Sequence, residues 1–251
     1  MKIIGSDYDG TLTYGGIDEK KLTAIKNWQR AGHKFGIVSG RSGGFLEELQ
    51  KVYPAMKLDF FAGCNGGYIT DGEGKLLHAT ACKSVEAHRL LKDLFLWGCS
   101  FAHVAAEEYV CAVENMRNRP YFVAEEKCAL LNDIPPLLYF YQVSVELSCP
   151  EEASLIVARI REKYEERLNP LQNGKCIDIV PLGVNKAEGL YRVMEFFGCA
   201  YEDVVAVGDN INDADMLREF RSYAMESGVA EVKALADCIV RDVTEVFEKE
   251  I

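Results

Sequence analysis

A chain of 251 residues with 49% hydrophobic and 27% charged residues has enough apolar side chain for a sizeable core, which excludes a disordered polymer. Its formal net charge of −11 repels nucleic-acid phosphates and anionic lipid, so neither nucleic acid nor membrane is expected as a partner. The nine cysteines include no Cys-x-x-Cys pair, and scattered thiols fit a reducing cytoplasm better than a disulfide framework.

The chain opens directly into an apolar run, Lys2–Ser6, without the pattern of a secretion signal, and the run predicts a buried strand. Asp18 is placed to cap a helix to about Ala31, with Leu22, Ile25 and Trp28 along one face. Phe35–Val38 predicts the next strand and ends in the polar loop Ser39-Gly40-Arg41. A helix from Gly44 to about Val52 and an apolar stretch, Phe60–Cys64, follow. Such alternation makes a parallel sheet with helices on its faces. Asp71-Gly72 marks a hairpin turn between Tyr68-Ile69 and Leu76-Leu77.

From Ala81 the pattern changes. A helix over Val85–Trp97 precedes strand-like segments at Tyr109–Val113 and Leu137–Leu147, a helix over Glu151–Arg167 and a strand around Cys176–Val180. Val143, Val145 and Leu147 alternate with Ser144, Glu146 and Ser148, the period of a sheet with one wet face. After Pro181 the first pattern resumes: helix Lys186–Phe197, strand Val204–Val207, an acidic loop, helix Asp213–Phe220, and short strands around Tyr223–Met225 and Cys238–Val240. The expected fold class is α/β, a Rossmann-like parallel-sheet core from residues 1–80 and 181–251 with an α+β domain inserted at 81–180.

The chemistry gathers at strand ends. Asp7 and Asp9 follow the first strand two residues apart, Gly10 lets the backbone turn, and Thr11 offers a hydroxyl. The strand Val204–Val207 ends in Gly208-Asp209-Asn210-Ile211-Asn212-Asp213, with Asp209 in the same relation to its strand as Asp7. Asp213 also suits the cap of the following helix. Two such carboxylates about 4 Å apart repel by roughly 4 kcal/mol at an effective dielectric of 20, so a cluster is partly protonated or holds a cation. All-oxygen ligation without histidine or cysteine suits Mg²⁺. Ser39 and the exposed backbone N–H of Gly40 can receive an anion. Lys186 stands at a helix start, where the dipole gives a cation no benefit and a bound anion would.

These motifs in order, Asp-Tyr-Asp-Gly-Thr at 7–11, Ser39-Gly40-Arg41, Lys186 and Gly-Asp-x-x-Asn-Asp at 208–213, resemble those of the haloacid dehalogenase superfamily. The likeness is to its phosphatases with a large α+β cap between the second and third motifs, the group often called Cof-type. The resemblance implies Asp7 as nucleophile, forming an aspartyl-phosphate, and Asp9 as acid and then base. It implies Ser39, Lys186 and Asn212 around the phosphoryl oxygens. It implies Mg²⁺ held by Asp7, the Asp9 carbonyl and Asp209, with Asp213 in support through water. The expected function is a cytoplasmic Mg²⁺-dependent phosphatase acting on a small phosphorylated metabolite, a sugar phosphate or similar monoester. A phosphomutase is the nearest alternative. A phospho-accepting switch is a remoter one, since Asp9 would supply a base that a long-lived acyl-phosphate must lack. The sequence departs from the family at Tyr8, commonly a smaller apolar residue, and at Met225-Glu226-Ser227-Gly228, where many relatives carry Met-Gly-Asn-Ala. Asn65-Gly66-Gly67 resembles a substrate-side Asn-Gly element, and a plain turn is its alternative. The oligomeric state is left open.

Overall fold

The computed structural model describes all residues except 43, 107–109, 119, 121–126, 135–138 and 251; the expected strand starts at Tyr109 and Leu137 fall outside them. The N-terminal stretch runs β1 (Ile3–Ser6), α1 (Glu19–Arg30), β2 (Lys34–Val38), α2 (Phe45–Val52), β3 (Phe60–Gly63), β4 (Tyr68–Asp71) and β5 (Leu76–Ala79). Asp18 accepts the Lys21 N–H at 3.0 Å and so caps α1.

The middle stretch runs β6 (Cys82–Lys83), α3 (Ser84–Leu96), β7 (Phe101–Ala105), β8 (Val110–Val113), β9 (Cys128–Leu130), β10 (Tyr139–Phe140), β11 (Gln142–Glu146), α4 (Pro150–Tyr164), β12 (Leu168–Asn173) and β13 (Cys176–Pro181). The final stretch runs α5 (Lys186–Phe197), β14 (Val204–Gly208), α6 (Ala214–Glu219), β15 (Arg221–Met225), α7 (Ala230–Lys233), β16 (Cys238–Val240) and α8 (Thr244–Glu250).

The chain divides into two compact units, Met1–Ala79 with Asn185–Ile251, and Thr80–Val184. In the first, eight strands lie in the order β16-β15-β14-β1-β2-β3-β4-β5, parallel from β16 through β3, with β4 and β5 antiparallel. Successive residues serve opposite faces. Ile4, Phe35, Ile37, Val205 and Val207 join Ile25 and Trp28 of α1 and Val246 and Phe247 of α8 in one buried cluster. Ile3, Val38, Val204 and Ala206 join Leu190 and Val193 of α5 and Met216 and Leu217 of α6 in the other. A sheet covered on both faces explains why these strands read as continuous apolar runs. The buried carboxylate of Glu250 ties β15 to the residue before β1: it accepts from Tyr223 OH at 2.6 Å, from Lys2 Nζ at 3.0 Å and from Arg221 Nε.

In the second unit six strands lie in the order β12-β13-β11-β7-β8-β9, and β6 pairs with β10 apart from them. Val143, Val145, Ile177 and Ile179 face α3 and α4 in a buried cluster of their own. The expected single strand at 137–147 is broken at Tyr141, because β10 pairs with β6 while β11 pairs with β7 and β13. β12 had no expected counterpart: Pro170 sits within it, tolerated because β12 is an edge strand. Among the described residues no helix is long and apolar enough to cross a membrane.

Candidate active site

Asp7 stands directly after β1, and its N–H donates to the Val207 carbonyl at 2.8 Å, so β1 and β14 are joined where the acids begin. The strand order reverses here, with β2 and β3 on one side of β1 and β14 to β16 on the other. Ligands of open α/β sheets bind at such a switch point, outside the carboxyl ends of the strands.

The chain then winds through a π-type turn, Tyr8–Leu12. Gly10 has φ +83°, and a Cβ there would lie 2.5 Å from Asp209 Oδ2, so both the backbone angle and the close approach require glycine. Thr11 is buried and donates its hydroxyl to Asp209 Oδ1 at 2.6 Å.

Lys186 opens α5, where Asn185 caps the helix by accepting the Glu188 N–H at 2.8 Å. Its side chain is fully buried, and Nζ donates to Asp7 Oδ1 at 2.6 Å and to Asp213 Oδ1. The other Asp213 oxygen accepts the N–H groups of Asp209 and Asn210 at 2.9 and 3.0 Å. Asp213 lies in the short turn Ile211–Asp213 and makes no cap hydrogen bond to α6; it reaches back to brace the loop that carries Asp209. Val229 N–H donates to the Asp209 carbonyl at 3.0 Å, so the divergent loop after Met225 holds that loop through a backbone hydrogen bond.

Burial pushes the Asp7 carboxyl upward, against the pull of Lys186 and with the help of Asp213 and Asp209. Burial depresses the Lys186 ammonium, but Asp213 and Asp7 more than offset it and hold it above its ordinary range. Burial likewise raises Asp209, opposed by the Thr11 hydrogen bond. Asp7, Asp209 and Asp213 each offer an oxygen within 4.8 Å of the others. Three carboxylates against one ammonium leave an excess of negative charge, and this oxygen donor set fits a hard divalent cation such as Mg²⁺. Both Asp213 oxygens are committed to other donors, which leaves Asp7 and Asp209 as the arms facing such an ion.

The Asp9 carboxylate is not in that cluster. Its side chain is 59% exposed and paired with Arg41, whose Nε and Nη2 reach it at 2.8 and 2.7 Å. The Arg41 guanidinium lies 5.2 Å from the Tyr8 ring centroid and 4.8 Å from that of Phe45, and Asp9 holds it above its ordinary range. Arg41 had been given no role from sequence, although its place in the Ser39 loop was a signal. Ser39 is buried; its N–H donates to the Ala62 carbonyl and its own carbonyl accepts the Asn65 N–H, both at 2.9 Å. Cys64 and Asn65 take positive φ, +50° and +54°, in the segment that braces this loop. Gly40 is half-buried in the bend after β2, and Asn212 is half-buried in the short turn Ile211–Asp213.

The family model described as haloacid dehalogenase-like hydrolase matches residues 4–246. The chain is 40% identical over 94% of its length and 90% of the other's to the 5-amino-6-(5-phospho-D-ribitylamino)uracil phosphatase YitU of Bacillus subtilis. It is 23% identical over 93% of its length and 87% of the other's to an HMP-PP phosphatase of Escherichia coli O6:H1. A haloacid dehalogenase-like hydrolase from Bacteroides thetaiotaomicron has the same fold, with a TM-score of 0.82 at 22% identity, covering 100% of this chain and 99% of that one. The HAD subclass IIB sugar phosphatase BT4131 gives 0.80 at 19%, covering 99% and 98%. From the match across nearly all of its length, the chain belongs to the haloacid dehalogenase-like hydrolases and is an enzyme.

Proposed function

We propose that this enzyme is a Mg²⁺-dependent phosphatase that hydrolyses a small phosphorylated metabolite, a sugar phosphate or similar monoester, through an aspartyl-phosphate on Asp7. The observation that carries the reading is the pairing of Asp7 with the buried Lys186 beside Asp209, at the ends of two adjacent parallel strands. The Asp7 carboxylate attacks phosphorus while the bond to the leaving oxygen breaks, and Asp9, which first leaves its ion pair with Arg41 and takes up a proton from water, gives that oxygen its proton. Asp9, now ionised, takes a proton from water, which attacks the phosphoryl group and frees Asp7 with inorganic phosphate. Lys186, the Ser39 hydroxyl and the Gly40 N–H receive the phosphoryl oxygens, with Asn212 nearby. Asp7, the Asp9 carbonyl and Asp209 would hold Mg²⁺, which supplies charge neutralisation so that a carboxylate can approach a phosphate.

The named phosphatases among the relatives support a phosphorylated small molecule as substrate. In this reading residues 80–184 are the cap that selects the leaving group. Nine free cysteines support a reducing, cytoplasmic setting. The test is mass spectrometry of Asp9→Asn quenched after one turnover with p-nitrophenyl phosphate, whose leaving group needs no proton, and Mg²⁺. A phosphoryl group on the peptide containing Asp7 is expected; a phosphoryl group elsewhere, or none, rejects Asp7 as nucleophile.

A further inference from the structure

The reaction above leaves a buried ammonium unused. Lys21 lies in the first turn of α1, is 2% exposed, and sends its side chain under the segment that follows Asp9. Its Nζ donates to the carbonyls of Leu12 at 3.1 Å, Gly16 at 2.8 Å and Tyr14, with Asp242 Oδ2 at 3.4 Å. An ammonium has three N–H donors and no lone pair. Three carbonyls take those donors and the carboxylate balances the charge, so the surroundings are an oxygen cage for a monovalent cation.

The cage is made by the loop itself. Gly15 and Gly16 have φ +71° and +88°, which lets the carbonyls of residues 12, 14 and 16 converge. The same loop is continuous with the turn that carries Asp9. Thr13 donates from its N–H and from Oγ1 to the Tyr8 carbonyl at 3.0 and 3.1 Å, and its Oγ1 accepts the Gly10 N–H at 3.2 Å. Gly16 N–H donates to the Thr13 carbonyl at 2.8 Å and Tyr14 N–H to the Thr11 carbonyl at 3.2 Å. Without a cation at the centre, three inward carbonyls would repel one another and the loop would unwind toward water.

We propose that Lys21 is a positioning residue for the reaction: its ammonium holds the Tyr8–Gly16 segment wound and so fixes the turn that carries Asp9. The inference rests on the roles given to Asp7 and Asp9 above. It separates from ordinary structural support because the part removed is a small cation that can be returned from solution.

The experiment is Lys21→Ala assayed with Mg²⁺ on glucose 6-phosphate, an ester whose leaving alcohol needs the Asp9 proton. Turnover is expected to fall about tenfold or more with KM changed less than about threefold, since small displacements of reacting groups act on kcat. Propylammonium chloride, which replaces the missing stem and N–H donors, is expected to restore much of the loss in a saturable way. Tetramethylammonium chloride at equal ionic strength is expected to restore none. Turnover within about twofold of the parent enzyme, or a loss that propylammonium leaves untouched, overturns the proposal. Lys21→Met keeps the buried stem packed and covers the case in which the alanine variant does not fold. In it, the amides of Thr13, Tyr14 and Gly16 are expected to exchange with deuterium about tenfold faster, with β1 and β14 unchanged; unaltered exchange overturns the proposal. If the parent enzyme hydrolyses no phosphate ester, the reading of the reaction fails by itself, and the exchange result alone decides the role of Lys21.

Discussion

Arg41 grips both carboxylate oxygens of Asp9, at 2.8 and 2.7 Å, while its guanidinium rests against the rings of Tyr8 and Phe45. A planar fork matched to a carboxylate fixes direction as well as distance. The departure at Tyr8 thereby acquires a physical account: the larger ring, edge-on to Phe45 with centroids 4.7 Å apart, makes the platform on which the fork lies. Arg41→Lys keeps the charge but loses fork and stack. With alkyl phosphates kcat/KM is expected to fall about tenfold, and with p-nitrophenyl phosphate far less, because nitrophenolate leaves without a proton. Equal losses on both esters would assign Arg41 to the phosphoryl group and not to Asp9.

Asp9→Asn removes the base of the second step and the acid of the first. On p-nitrophenyl phosphate it is expected to release about one equivalent of nitrophenolate in a burst and then run slower than the parent by about 10²-fold or more. Stopped-flow absorbance reads both phases. A linear trace at full rate would remove Asp9 from the reaction.

Chelation of divalent metal is expected to stop turnover, and added Mg²⁺ to restore it. Thr11 holds one oxygen of Asp209 in place, so Thr11→Val is expected to raise the Mg²⁺ concentration for half-maximal activity about tenfold without unfolding the protein. Calorimetric titration of Mg²⁺ checks the same shift independently of turnover.

Glu250 supplies a pH dependence of stability. Burial raises its carboxyl, but hydrogen bonds from Tyr223, Lys2 and Arg221 outweigh burial and hold it below the ordinary 4.5. A carboxyl depressed in the folded state stabilises fully above the unfolded value, and that part is lost as pH falls below about 4.5 toward the folded value. Glu250→Gln is expected to cost about 2 kcal/mol at pH 7, the scale of hydrogen bonds to a charged group. Urea midpoints of the two proteins should converge as pH drops from about 5 toward 3. A gap that stays constant would place the cost elsewhere.

The parts of the site legible in sequence were those written along one strand and its following turn. An apolar run ending in acid announced Asp7 and Asp209, and the positions of both follow from where those runs stop. Asp18 as cap and Asp71-Gly72 as turn were equally local. Contacts that depend on how distant segments meet left no local trace. Arg41 finds Asp9 across 32 residues, and Lys21 reaches Asp242, because strand order brings those turns together. Asp213 shows the limit within a single loop: its type and place suited a helix cap, yet its carboxylate turns inward to Lys186 and to two amides upstream. In the second unit, an edge strand carrying Pro170 hid from composition for the same reason that it tolerates proline.

The pairing of β1 with β14 has a consequence for the order in which the molecule can be made. Thr11 and Asp209 are 198 residues apart, so the centre of the sheet cannot close until most of the chain has left the ribosome. Residues 80–184, contiguous and provided with their own apolar cluster, can become native while the tunnel still holds β14. During that interval β1, β2 and β3 wait with one edge of β1 unpaired, and Asp7 has neither Lys186 nor Asp209 beside it. A nascent chain stalled before α5 would therefore be a half-built sheet with no catalytic power, and a partner for chaperones rather than for substrate.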